Sequence, residues 1–207
     1  MSRKKNTSFL NISNNKTWNS SWCIYNQGEF RNLLQEDLIL YSYVRSQFKI
    51  FDLINIINLR LYRVSNFLIT DIMISFINLA ARESLTAFLS SLSKFFNKCV
   101  YLAVHRPSYI SIINNAFNIA LKIAKLIEKR VRFRSKLVKG LIKKVKENSK
   151  GIYVQCTGRI NNVDMAKVDK LFLGSVPLQS IKALIDYGFV VANTNKGLQS
   201  IKVWIYK

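Results

Sequence analysis

Acidic residues, glycine, proline, histidine and cysteine are all scarce in this chain of 207 residues. A single histidine, His105, excludes catalysis or metal binding that needs several imidazoles. The three cysteines (Cys23, Cys99 and Cys156) are odd in number, far apart and without a Cys-x-x-Cys pair. That spacing argues against a disulfide framework or a zinc knuckle and predicts three reduced thiols. Seven glycines and two prolines exclude collagen-like and proline-rich classes. Only 11 acids stand against 32 Lys and Arg, for a formal charge of +21. Hydrophobic residues nevertheless make up 49%, too many for a disordered polycation. The length suits one or two domains with a buried core. A folded protein tolerates such self-repulsion when a polyanion is its usual neighbour, and nucleic acid is the commonest one.

Long apolar runs are missing too. The most apolar stretch, Ile50 to Ala81, is interrupted by Arg60, Arg63 and Asp71. Its longest charge-free piece, Ile72 to Ala81, has ten residues, where a bilayer span needs about 20. The basic start, Met1-Ser2-Arg3-Lys4-Lys5, leads into Asn- and Ser-rich sequence rather than the apolar core of a secretory signal. A soluble protein is expected. Ile (24), Lys (21) and Asn (20) are abundant. Their codons are A/T-rich, which points to an A/T-rich genome, and organellar genomes are one such source.

Residues 1–20 read as a polar arm. The spacing of Phe30, Leu33, Leu34, Leu38, Tyr41 and Val44 predicts a helix from Glu29 to Phe48. Dense β-branched residues between Ile50 and Phe76 suit buried strands, with helix as the alternative; Glu83 to Phe96 suits a helix, and Val100 to Val104 a strand closed by His105. From Tyr109 a helical face runs through Ile112, Ile113, Ala116, Ile119, Ile123, Leu126 and Ile127, and resumes with Phe133, Leu137, Leu141 and Val145. Beyond Gly151, Ile152, Val154 and Cys156 alternate as in a half-buried strand. Asp164 to Phe172 reads as a helix. Ile181, Ala183, Ile185 and Tyr187 alternate, as do Ile201, Val203 and Ile205, with turn chemistry at Asn195-Lys196-Gly197 between them.

Charge is concentrated in residues 122–150, which hold twelve cations and two acids. Lys122, Lys125, Lys129, Arg132, Lys136, Lys139, Lys143, Lys146 and Lys150 alternate in steps of three and four. On a helix that stride keeps all nine on one slowly drifting face. Arg130 and Arg134 widen the band, and Glu128 and Glu147 lie off it. An ordinary solvated face mixes signs, because like charges four apart each cost a few tenths of a kcal/mol. The stripe therefore points to phosphate binding, with a plain solvated face or a membrane-surface helix as the alternatives. Lysine outnumbers arginine, which favours backbone contact over base readout.

The carboxy-terminal third carries a longer signature. Gly158-Arg159-Ile160-Asn161-Asn162-Val163-Asp164-Met165-Ala166-Lys167 is followed by Gly174-Ser175-Val176-Pro177-Leu178-Gln179-Ser180-Ile181-Lys182-Ala183. Ile185-Asp186-Tyr187-Gly188, Ala192-Asn193-Thr194, Gly197 and Lys202-Val203-Trp204-Ile205 complete it. In order and spacing this resembles the carboxy-terminal domain of the small-subunit ribosomal protein 3 family. Val104-His105-Arg106-Pro107, the string Glu128 to Arg134 and Trp18-Asn19-Ser20-Ser21-Trp22 resemble that family as well. The resemblance covers residues 16–30 and 104–207.

The resemblance implies an α+β chain with no enzymatic activity and no cofactor. It implies an amino-terminal arm (1–30), a degenerate KH-like domain of the second type (31–107) and a carboxy-terminal α/β domain (108–207). That last domain is expected to pair a small, mostly antiparallel sheet with a long basic helix. The implied partners are small-subunit rRNA, mRNA at the channel by which it enters, and head proteins of the protein 10 and protein 14 families. With the A/T-biased composition, a mitochondrial version is expected. Lys129, Arg130 and Arg134 match basic positions of the family pattern. Ser135 and Val138 stand where the family has basic residues, and Lys136 and Lys139 lie next to them, a shift of about 100° around a helix. A KH domain clamps backbone with a Gly-x-x-Gly loop, yet this chain has no glycine between Gly28 and Gly140. Ala81 to Thr86 stands in that place, so the domain is expected to serve as a scaffold.

The RNA-contacting set is thus Lys122, Lys125, Lys129, Arg130, Arg132, Arg134, Lys136, Lys139, Lys143 and Lys146, with Arg159 and Lys167 added from the signature. Trp18 and Trp22 either stack on a partner or pack internally, the commoner fate. Trp204 should point to the sheet face opposite Val203 and Ile205. Asp164, Asp169 and Asp186 show no spacing that would pair them for acid–base work. An RNA-binding module acting off the ribosome is the main alternative, and a nuclease a more distant one.

Overall fold

A computed structural model describes residues 18, 20–22, 24, 26–50, 56–64, 67–74, 90–91, 93–94, 99–105 and 114–207. The chain forms two compact units, one within Trp18–Pro107 and one within Ser108–Lys207.

In the first unit, α1 (Gln27–Ile50) accompanies a four-stranded sheet. Its strands are β1 (Ser20–Ser21), β2 (Ile56–Val64), β3 (Phe67–Ile74) and β4 (Cys99–His105), in spatial order β1-β2-β3-β4. β2 and β3 are antiparallel, whereas β1 runs parallel to β2 and β4 parallel to β3. Arg63, one of the charges that broke the apolar run, is what fastens α1 to the sheet. Its guanidinium donates to Asp37 and Glu36, both at 2.5 Å, and to the Leu33 carbonyl at 3.3 Å. Trp22 donates to the second oxygen of Asp37 at 2.8 Å and packs edge-on against Phe30. Burial alone would lower the Arg63 pKa, but its bonds to the two carboxylates outweigh this and raise it. The helical span is as expected, but its inner face is not. Leu40 and Asp37 are buried, while Phe30, Leu34 and Leu38 are exposed, because the ion pair sets the helix rotation in place of the widest apolar stripe. Of the helix expected from Glu83 to Phe96, Ser90, Ser91, Ser93 and Lys94 are helical. The rest of it, the arm before Trp18 and Ala81 to Thr86 lie outside the described residues.

The second unit is a four-stranded, wholly antiparallel sheet carrying two helices on one face. The elements are α2 (Ala116–Glu128), α3 (Lys136–Glu147), β5 (Gly151–Gly158), β6 (Lys167–Gly174), β7 (Ile185–Thr194) and β8 (Gly197–Tyr206). The sheet order is β6-β5-β8-β7. Alternation sorts the strands. Ile152, Val154, Cys156, Ala192, Ile201, Val203 and Ile205 face the helices and share one core with Ile119, Ile123 and Ile127 of α2 and Val138, Ile142 and Val145 of α3. On the other face Trp204, fully buried, lies between the rings of Tyr153 and Tyr187 at 5.1 and 5.3 Å. The 175–184 segment covers this cluster with Val176, Leu178 and Ala183.

Three expectations need correction. The long basic helix is two helices. α2 ends where Arg130 takes φ = 63°, its N–H bonding to Ile127 O at 2.8 Å and the Val131 N–H to Leu126 O at 3.0 Å. This is the Schellman closure, which ordinarily uses glycine. α3 starts afresh at Ser135, whose hydroxyl accepts from the Val138 N–H. Asp164 to Phe172 is not a helix, since Lys167–Gly174 pairs along its whole length with β5. Sheet pairing there overrides a weak local helix signal. The strand expected from Ile181 starts only at Ile185, because the residues before it turn across the Trp204 cluster.

Gly188 marks the closest approach of helix and sheet. A Cβ there would collide with the backbone of Ala116 and Phe117. Next to it, Asp186 accepts from the Ala116 N–H at 3.1 Å, joining Asn115 in capping α2.

Candidate nucleic-acid interface

The helix faces turned from the sheet carry the predicted cations. On α2, burial of Ala116, Ile119, Ala120, Ile123, Ala124 and Ile127 leaves Lys122, Lys125 and Lys129 exposed. On α3, burial of Val138, Ile142 and Val145 puts Lys136, Lys139 and Lys143 on the opposite side. The link between the helices alternates in the same sense. Phe133 is 2% exposed and anchors it, while Arg130, Arg132 and Arg134 point outward. The stripe thus survives the break, because a turn closed by Arg130 and pinned by Phe133 replaces about two helical turns. Ser135 and Val138 are now explained: one caps α3 and the other is fully buried, so neither place takes a cation.

Five predicted residues are engaged or lie apart. The Lys146 ammonium turns back onto the carbonyls of Ser149 and Lys150, at 3.3 and 2.5 Å, where it closes the end of α3. Lys150 sits over the Tyr206 ring at 4.8 Å. Arg159 donates to the Val163 carbonyl at 3.1 Å and to Asp164 at 3.2 Å, bracing the turn after β5. Lys167 is exposed at the start of β6, on the edge strand of the sheet. Arg134 reaches Asp169 at 3.2 Å, an exposed pair that contributes little to stability.

Arg130 and Arg132 also line an open cleft of about 580 Å³. Asn161 lines it from the turn after β5, and Asn195 and Lys196 line it from the β7–β8 turn. Arg130 and Asn161 are the two non-glycine residues with positive φ among the described residues, at 63° and 56°. Left-handed backbone at a bulky side chain is costly and tends to gather at functional sites. Sequence reasoning missed Asn161 and Lys196, because nothing in one-dimensional spacing brings two turns 35 residues apart to the same cleft. Asn195-Lys196-Gly197 was legible only as a turn. Among the described residues no three His, Cys, Asp or Glu side chains gather to hold a metal. Nor is any described helix long and apolar enough to cross a membrane.

Sheet, helical layer and cation distribution together define a small basic α+β domain with a cationic face. Residues 123–205 match the family described as Ribosomal protein S3, C-terminal domain. Over 99% of this chain and 75% of the relative, it is 30% identical to small ribosomal subunit protein uS3 of Clostridioides difficile. The uS3 proteins of Caldanaerobacter subterraneus and Geotalea daltonii are also 30% identical, over the whole chain and over 92% and 97% of their own lengths. The chain belongs to the family of small ribosomal subunit protein uS3, a structural family and not an enzymatic one.

Proposed function

We propose that this protein is a structural constituent of a mitochondrial small ribosomal subunit that binds rRNA in the head through its helical layer. The exposed cations Lys122, Lys125, Lys129, Arg130, Arg132, Arg134, Lys136, Lys139 and Lys143, gathered on the side away from the sheet, carry this reading. A basic layer held by a rigid core can meet phosphates at many points without remodelling, which suits a permanent place in a ribonucleoprotein. The cleft with Arg130, Arg132 and Lys196 lies along the segment whose family resemblance points to mRNA where it enters the subunit. Lysine there holds a strand by charge rather than by sequence. The amino-terminal unit acts as a KH-derived scaffold, since no glycine between Gly28 and Gly140 is available for a backbone clamp. Neighbouring head proteins of the protein 10 and protein 14 families are its expected protein contacts. The A/T-biased composition supports the mitochondrial setting.

Sedimentation of mitochondrial lysate through sucrose, at low salt and at roughly 0.5 M, tests the reading. Co-migration with small subunits at both salts is the expected result. Release to the top of the gradient at high salt would make it a peripheral electrostatic binder. Absence from subunits at low salt would refute the proposal in favour of an RNA-binding role off the ribosome.

A further inference from the structure

The sheet of the second unit is covered on its far face around Trp204 and Ile185; from Gln155 and Lys202 onward the described residues leave it exposed or half-exposed. Register defines what stands there. Central strands β5 and β8 present Gln155, Thr157, Ser200 and Lys202 as a floor. Edge strand β6 flanks it with Val168, Lys170 and Phe172, and edge strand β7 with Phe189 and Val191. Leu198 closes the end beside the β7–β8 turn. All five apolar side chains are exposed, Phe172 at 70% and Leu198 at 68%. Two apolar ridges thus border a polar floor, and the charges are Lys170 and Lys202, on either side of Gln155. Among the described residues no carboxylate shares this face, since Asp169 and Asp186 point to the helix side, the one opposite Cys156 and the other capping α2.

Five exposed apolar side chains gathered on one face in this way mark an interaction site. Its ridges stand on strands three places apart, about 14 Å at ~4.8 Å per strand. That width admits one α-helix, about 10–12 Å across with its side chains. We infer that this trough docks an acidic amphipathic helix of another protein, its carboxylates over Lys202 and Lys170 and its flanking apolar side chains against the ridges. RNA fits less well. Val168, Val191 and Leu198 have no ring on which a base can stack, and both phenylalanines stand at the outer strands.

The test is fluorescence anisotropy on the purified full chain, which needs no ribosome and so stands apart from the function proposed above. The probe is a labelled 18-residue helical peptide with glutamates along the centre of a leucine-rich face. Binding should weaken at least tenfold with Lys202→Glu, and at least tenfold with Phe172→Ser/Phe189→Ser, while circular dichroism stays unchanged. Lys144→Glu, the same charge change on the helical layer, should alter it less than twofold. A scrambled peptide of identical composition should bind at least tenfold more weakly. Equal losses in Lys144→Glu and Lys202→Glu, equal binding of the scrambled peptide, or no binding by the native chain would each overturn the inference. If a uridine dodecamer loses tenfold in affinity with Phe172→Ser/Phe189→Ser, the face belongs to RNA instead.

Discussion

Among the described residues, Arg130 occupies a helix-terminating position in the left-handed region, where glycine is the ordinary residue. Its φ of 63° closes α2 by two backbone hydrogen bonds, and a side chain in that region costs roughly 1–2 kcal/mol. Glycine adopts it freely but loses more freedom on folding, so the net gain from Arg130→Gly should be about 0.5–1 kcal/mol. For a unit of about 100 residues that corresponds to a rise in Tm of roughly 2–8 °C. Arg130→Ala removes the same charge while retaining the strain, and should leave Tm near that of the native protein. Calorimetry on the three proteins measures the difference. Both variants lose one cation, so both should lower the affinity for an rRNA transcript alike and flatten its dependence on log salt by roughly 0.7–0.9. If Arg130→Gly is no more stable than Arg130→Ala, the left-handed turn is not the feature that ends α2. If neither substitution changes the salt slope, Arg130 is not a phosphate contact, and its retention at a strained position needs another cause.

Further predictions follow from other parts of the structure. Asp37→Ala should destabilise the first unit by about 2–3 kcal/mol, since it leaves Arg63 with Glu36 and the Leu33 carbonyl alone and the Trp22 indole N–H without its acceptor; a loss below ~1 kcal/mol in urea melts would show that Asp37 does not hold α1. Gly188→Ala forces a methyl into the Ala116 backbone and should cost about 2 kcal/mol or more, read as a lower denaturation midpoint. The Cys156 thiol is pushed up to about 12, by burial and then by the charge of Asp169. Iodoacetamide at pH 8.5 should therefore leave Cys156 unmodified in the native protein and alkylate it in urea, by site-resolved mass spectrometry. The sign for stability follows from linkage. The unfolded thiol ionises near its ordinary value of ~8.5 while the folded one keeps its proton, so this group's contribution is lost as pH rises from about 9 towards 12.

Sequence alone carried the net charge, the stride of cations, the helix of residues 27–50, strands β2 to β5 and β8, and the resemblance to the family. Each is a local or periodic property: which face a side chain takes is set by 3.6- or two-residue repetition, and the carboxy-terminal signature is a linear string. Tertiary structure decided the rest. A stride of three and four runs unchanged through Lys129–Ser135, so periodicity could not reveal that Arg130 turns the chain and Phe133 anchors it. Asp164 to Phe172 became a strand because β5 offered an edge, a partner 9 to 23 residues upstream that the periodicity of the segment itself does not show. Arg63 looked like an interruption of an apolar run until Asp37 and Glu36, 26 and 27 residues earlier, came within hydrogen-bond reach. The same holds for the far face of the sheet. Phe172, Phe189 and Lys202 lie on three separate strands, and only pairing in register makes them one surface.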